Sequence, residues 1–216
     1  MFILYQYFFF FFYTKEEIAG WERFYRANFI NSVTGFKSVN LIGTRNENGQ
    51  TNLGIFSSIV HIGSDPALVG YINRPRSAAP HTLSNIESTG KYTINHIQPL
   101  FLNEAHQTSA KYPVDISEFE AVGLTTQYLN NFQAPFVGES VVKYALALQE
   151  IIPITANNTF LVIGKIEFIY LQKDILLPDG FIDLHKAETI SSNGIDSYYR
   201  TMPITRLAYA KPDNKK

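Results

Sequence analysis

Apolar and polar positions change period along the chain, and each change predicts an element. After residue 13, Ile18, Trp21, Phe24 and Tyr25 recur at helical spacing, and Thr14 with Glu17 three residues later is a capping-box signature. A helix is therefore expected from residue 14. The pattern then switches to strands. Residues 37–44 (KSVNLIGT) and 51–59 read as the two arms of a hairpin around Asn48-Gly49, residues that permit positive φ in a tight turn. Residues 62–66 (IGSDP) read as a turn, because Asp65 before Pro66 is biased away from helix, and residues 67–73 (ALVGYIN) as a third strand. A polar bend, RPRSAAP, leads into a short helix, HTLSNIESTG, with Leu83 and Ile86 facing inward and Gly90 at the position of a left-handed C-terminal cap. Residues 92–97 form a fourth strand, and residues 100–109 and 116–121 carry short helical patterns.

The back half holds the longest hairpin. Residues 140–152 (SVVKYALALQEII) and 159–171 (TFLVIGKIEFIYL) are strand-like, with Ala156-Asn157-Asn158 as turn chemistry between them. Ala145 to Leu148 favour helix locally, but Val141, Val142, Ile151 and Ile152 flank them and a hairpin partner follows, so strand is expected. Six or so strands joined mostly by hairpins, with helices at the start and in the connections, predict a mainly β fold: a closed antiparallel barrel with peripheral helices. No linker or internal repeat divides the chain, so one domain is expected over residues 14–210.

Composition narrows the function classes. The chain has 216 residues, 45% hydrophobic and 17% charged, a globular balance. A net charge of -1 without a basic run lacks the footprint of a nucleic-acid binder. The absence of cysteine excludes disulfides, thiolate metal sites and a cysteine nucleophile, and fits a cytoplasmic location. The first thirteen residues, MFILYQYFFFFFY, are shorter than the roughly 20 apolar residues of a spanning helix. They also lack the basic start and cleavage site of a secretory signal. They read as an extension outside the fold or a sticky arm; the other reading is an arm that touches a membrane or an interface, since exposed aromatics seek burial.

Sharp catalytic motifs are missing. There is no GxSxG elbow, no GxGxxG after the first strand and no GxxxxGK[ST]. The five histidines show no paired metal-ligand spacing, and no metal site is expected. The carboxylate pairs Asp179/Asp183 and Glu118/Glu120 read as solvated charges with no catalytic role. What remains is a cluster of small polar residues beside basic ones: Thr51, Asn52, Ser57 and Ser58, then Arg74, Arg76, His81 and Thr82. Such a set suits a polar ligand with an anionic end, through hydroxyl donors, an arginine fork and a helix N-terminus. On composition alone, a plain strand end with solvated arginines accounts for the same residues.

The segments NSVTGFKSVNLIGT, NGQTNLGIFSSIVHIGSDPALVGYINRP, HTLSNIESTGKYTINHI and AHQTSAKY, in that order, resemble the flavin reductase-like family of FMN-binding split barrels. The resemblance covers roughly residues 15–200. It implies an antiparallel split β-barrel of Greek-key type, a homodimer, and FMN in a groove at the dimer interface. By position, Asn52, Phe56, Ser57 and Ser58 would line the flavin, and Arg74 and Arg76 would meet the phosphate with His81 and Thr82. Ser109 and Lys111 in TSAKY would add further contacts. Many family members have T-x-S where this chain has Gly54-Ile55-Phe56-Ser57-Ser58. The activity implied is hydride transfer from NADH or NADPH to flavin, chemistry the flavin carries, so no acid–base pair is needed. A flavin-binding or electron-carrying protein without nicotinamide activity, and a barrel for another small apolar ligand, are the alternatives.

Overall fold

The computed structural model describes residues 10–78 and 80–212; the expectation for residues 1–9 lies outside the described residues. The capping box forms as expected ahead of α1 (Lys15–Gly20): the Thr14 hydroxyl accepts the Glu17 N–H at 3.2 Å, and Glu17 Oε2 accepts the Thr14 N–H at 2.7 Å. The predicted single helix is two. Trp21 is extended, and the Glu22 carboxylate accepts the Phe24 and Tyr25 amides to start α2 (Arg23–Val33). A second carboxylate that satisfies orphan amides makes a second helix start.

The strands and helices that follow are β1 (Lys37–Ser38), β2 (Asn40–Arg45), β3 (Thr51–Phe56), β4 (Val60–Ser64), β5 (Ala67–Asn73), α3 (Pro80–Thr89) and β6 (Lys91–His96). Next come α4 (Leu102–Gln107), α5 (Glu118–Val122), β7 (Thr126–Gln127) and β8 (Phe136–Val137). The long hairpin β9 (Val142–Ile154) and β10 (Thr159–Leu171) precedes β11 (Ile190–Asn193) and β12 (Ser197–Arg200). Three expectations need correction. The strand predicted over 51–59 stops at Phe56, and most of the predicted 62–66 turn is strand β4, with only the cis Asp65–Pro66 pair turning. Likewise the predicted 37–44 strand breaks at Val39, β1 pairing with β11 and β2 with β3 and β6. Ala145 to Leu148 are strand, because β9 is paired on one side with β6 and on the other with β10, and that pairing outweighs local helix preference.

The main sheet has seven strands in the order β3-β2-β6-β9-β10-β5-β4, every pair antiparallel. Its two edge strands, β3 and β4, are consecutive in sequence and joined only by residues 57–59. Four Cα steps span at most about 14 Å, so the sheet must curl until its edges nearly meet. The result is a barrel split along β3 and β4.

Along β3 the side chains alternate between two cores. Phe56 packs with Ile42, Tyr71, Tyr92 and Leu146, into which α3 inserts Leu83 and Ile86. Both are fully buried, worth about 1.5–3 kcal/mol each. Leu53 and Ile55 face the other way, packing with Leu41 of the neighbouring β2 and with Val39, Phe101, Phe119 and Ile190 from outside the seven-stranded sheet. Gly164 allows the Tyr92 ring to lie against the β10 backbone, where a Cβ would collide with the hydroxyl.

Candidate functional site

A groove of about 680 Å³ runs along the split, bounded by β3, residues 57–58, Arg74 after β5, the start of α3, residues 106–112 and the β11–β12 hairpin. Its spine is the open edge of β3. The Leu53 N–H points away from β2 and donates to Glu118 Oε2 at 2.9 Å. Strand groups alternate with a period of two, so the Ile55 amide faces the same open side, along the groove.

At the end of β3 the chain crosses from one edge of the sheet to the other, and Ser58 manages the crossing. Its hydroxyl accepts the Ile72 N–H and donates to the Ile72 carbonyl, both at 3.1 Å. In the β4–β5 register, Val60 faces Gly70 and His61 faces Val69, which puts Ser58 opposite Ile72. A side chain thus continues the ladder after the backbone has turned away. Ser57 lies beside it on the groove, its hydroxyl without a hydrogen-bond partner among the described residues.

The α3 end gathers the polar and cationic groups. Asn52 donates through Nδ2 to Thr82 Oγ1 at 3.0 Å, a buried contact that ties β3 to the first turn of the helix. Pro80 and His81 open that turn, and Ser109 and Lys111 approach from the segment after α4. Arg74 is exposed on the groove and has no carboxylate partner among the described residues. Arg76 is turned elsewhere. It forms a bidentate pair with both Glu87 oxygens and lies 5.0 Å over the Phe160 ring, outside the groove.

Residues 36–183 match the flavin reductase like domain. The chain belongs to the flavin reductase-like family. A crystal structure from Shewanella frigidimarina NCIMB 400, assigned provisionally as a flavin reductase with a split barrel domain, is 48% identical. It matches over 93% of this chain and all of that one, with a TM-score of 0.90. Nitrilotriacetate monooxygenase component B from Bacillus cereus shares the fold at 18% identity and a TM-score of 0.79, over 88% of this chain and 96% of its own. Flavoredoxin of Desulfovibrio vulgaris does so at 21% and 0.71, over 81% and 92%.

In this flavin reductase-like chain, nine of the ten residues expected from the sequence line one groove, although they come from four separate stretches; Arg76 does not. Three further groove groups escape a sequence reading. Glu118, expected to be a solvated charge, is 7% exposed. Burial pushes its carboxyl up, against the opposing influence of the Leu53 amide and of His81. A signal existed: residues two apart on a helix point about 200° apart, so Glu118 and Glu120 cannot share one solvent face. His106 and Tyr198 form the second feature, with Nδ1 and the phenolic oxygen 2.7 Å apart at the β11–β12 side of the groove. Ser192, buried beside them, has no partner for its hydroxyl among the described residues. These last contacts join residues over 80 apart in sequence, and no local pattern announces them.

Proposed function

We propose that the groove holds FMN and that the chain is an NAD(P)H-dependent flavin oxidoreductase that works as a homodimer. The observation that carries this reading is the open edge of β3: an outward amide at Ile55 and an unpaired Ser57 hydroxyl, adjoining a cationic end at a helix start. Backbone and hydroxyl donors suit the ring carbonyls and nitrogens of an isoalloxazine, which needs hydrogen bonds along one edge and apolar walls. Phe56, edge-on to Tyr71 at 5.1 Å, supplies one such wall. Arg74, the first turn of α3 with His81 and Thr82, and Lys111 suit a phosphate through charge and the helix dipole. A groove of this size lies within the range of small-molecule sites. Bound there, FMN supplies a ring that accepts hydride, which no side chain of the chain can do. The protein's part is to hold, orient and desolvate.

Surface area supports the dimer. A compact monomer of 24.5 kDa exposes about 10,000 Å², whereas this chain exposes 14558 Å². Allowing the residues outside the described set the full exposure of an unfolded chain removes only about 2,600 Å² of the surplus. What is left exceeds the roughly 800 Å² each partner buries in a standard interface. The surplus is apolar in part: Phe24 and Val33 on α2 are 68% and 66% exposed, and Ile204 and Leu207 beyond β12 are 99% and 87% exposed.

The reading is tested by mixing flavin-loaded protein anaerobically with NADH or NADPH. Bleaching of the flavin absorbance within seconds to minutes is expected. Flavin that binds but stays oxidised would leave an electron carrier without nicotinamide activity.

A further inference from the structure

Glu118 is the charged groove residue that flavin binding leaves unexplained. A site that gathers Arg74, Lys111 and a helix start for an anion gains nothing from a carboxylate, since like charges repel strongly where water is scarce. Yet Glu118 is buried on the groove wall beside His81, held there by the Leu53 amide. The charged and titratable groups that face it are His81 from α3 and, around the same groove, Arg74, His106 and Lys111. From β3 it accepts the Leu53 amide; Glu120 of its own helix is exposed; and the small hollow behind it is lined, apart from His81, by neutral residues such as Asn46, Gln50, Asn52, Asn85 and Ile116.

We propose that Glu118 couples phosphate binding in this groove to proton uptake: a seated phosphate disfavours the carboxylate's charge, and a proton from solvent joins Glu118 as the phosphate binds. This rests on the reading of the groove as the FMN site and adds its regulation. The burial that already favours the neutral carboxyl makes the group ready to respond. Affinity for FMN then falls as pH rises through the Glu118 titration. Each unit by which phosphate raises the Glu118 pKa changes affinity about tenfold across that range. Riboflavin, which lacks the phosphate, is insensitive.

The test measures dissociation constants of FMN and riboflavin for the full chain and for E118Q between about pH 4.5 and pH 8.5, upward from the ordinary carboxyl range. Glutamine keeps an acceptor for the Leu53 amide and removes only the charge. The phosphate of FMN titrates near 6 in both proteins, so the ratio of the two dissociation constants isolates Glu118. For FMN, wild type and E118Q are expected to bind alike at the acid end and E118Q about tenfold or more tightly at the alkaline end, while the riboflavin ratio stays flat. An FMN ratio that does not change with pH overturns the proposal. So does the same change with riboflavin, which would leave Glu118 a structural partner of Leu53. If riboflavin does not bind, the FMN ratio decides alone. If E118Q does not fold, calorimetry of the wild type near pH 7.5 in two buffers of different ionisation enthalpy replaces it: FMN must bring net proton uptake, and none overturns the idea. Protein that binds no flavin removes the site itself, a failure distinct from flavin bound without proton coupling.

Discussion

Ser57 and Ser58 are adjacent, alike in chemistry and opposite in role. Ser58 anchors the crossing from β3 to β4 by bonding both backbone groups of Ile72, so Ser58→Ala leaves a half-buried donor and acceptor unmatched. Urea denaturation is expected to show a loss of about 1–3 kcal/mol for Ser58→Ala. Ser57→Ala should change stability by less than about 0.5 kcal/mol and weaken FMN binding instead. Composition cannot make this division, because a serine that ends a strand and a serine that faces a ligand look the same in sequence. The arginines divide in the same way. Arg74→Ala is expected to weaken FMN binding by the 1.5–3 kcal/mol typical of a charge-assisted bond, roughly ten- to a hundredfold. Arg76→Ala should leave it unchanged, since the Glu87 carboxylate already satisfies that guanidinium. Equal effects of the two changes in a flavin titration would contradict this assignment.

Among the elements, strands bounded by clear turn residues were legible: β5, β10 and, within a residue, β6 stand where they are predicted, and the Asn48-Gly49 turn joins β2 to β3. Breaks inside elements were not, because they are made by distant partners. The switch at Val39 comes from β11, residues 190–193, and the stop after Phe56 from Ile72 on β5. Strand β6 also carries the chain's clearest acid-sensitive group. His96 at its end is partly buried, Nδ1 3.2 Å from Thr189 Oγ1, and burial lowers its pKa from 6.5 to about 4. A depressed pKa means the folded state resists the proton that the unfolded state accepts. The stability linked to His96 is thus whole above pH ~6.5 and lost as pH falls through about 4. That loss is at most about 3.5 kcal/mol. His96→Gln should flatten this limb of a stability–pH curve, and an unchanged limb would place the acid sensitivity elsewhere.

At the scale of the whole molecule, the barrel closes on itself without a hydrogen-bonded seam, and the groove is what the open seam provides. The fold class followed from hairpin spacing; the split did not, since it depends on β3 and β4 ending at opposite edges of one sheet. The large exposed surface belongs to this scale too. Light scattering is expected to give about twice 24.5 kDa, and removal of residues 201–216, with Met202, Ile204, Leu207 and Tyr209, to weaken association. A monomer at micromolar concentration would contradict the dimer. Everything argued for the groove turns on whether it takes flavin. The most direct measurement is the absorbance spectrum of the purified protein, followed by titration of the apoprotein with FMN. A yellow protein, or one that takes up about one FMN per chain, is expected, with binding lowered by Arg74→Ala. A colourless protein that takes up no added FMN would contradict it.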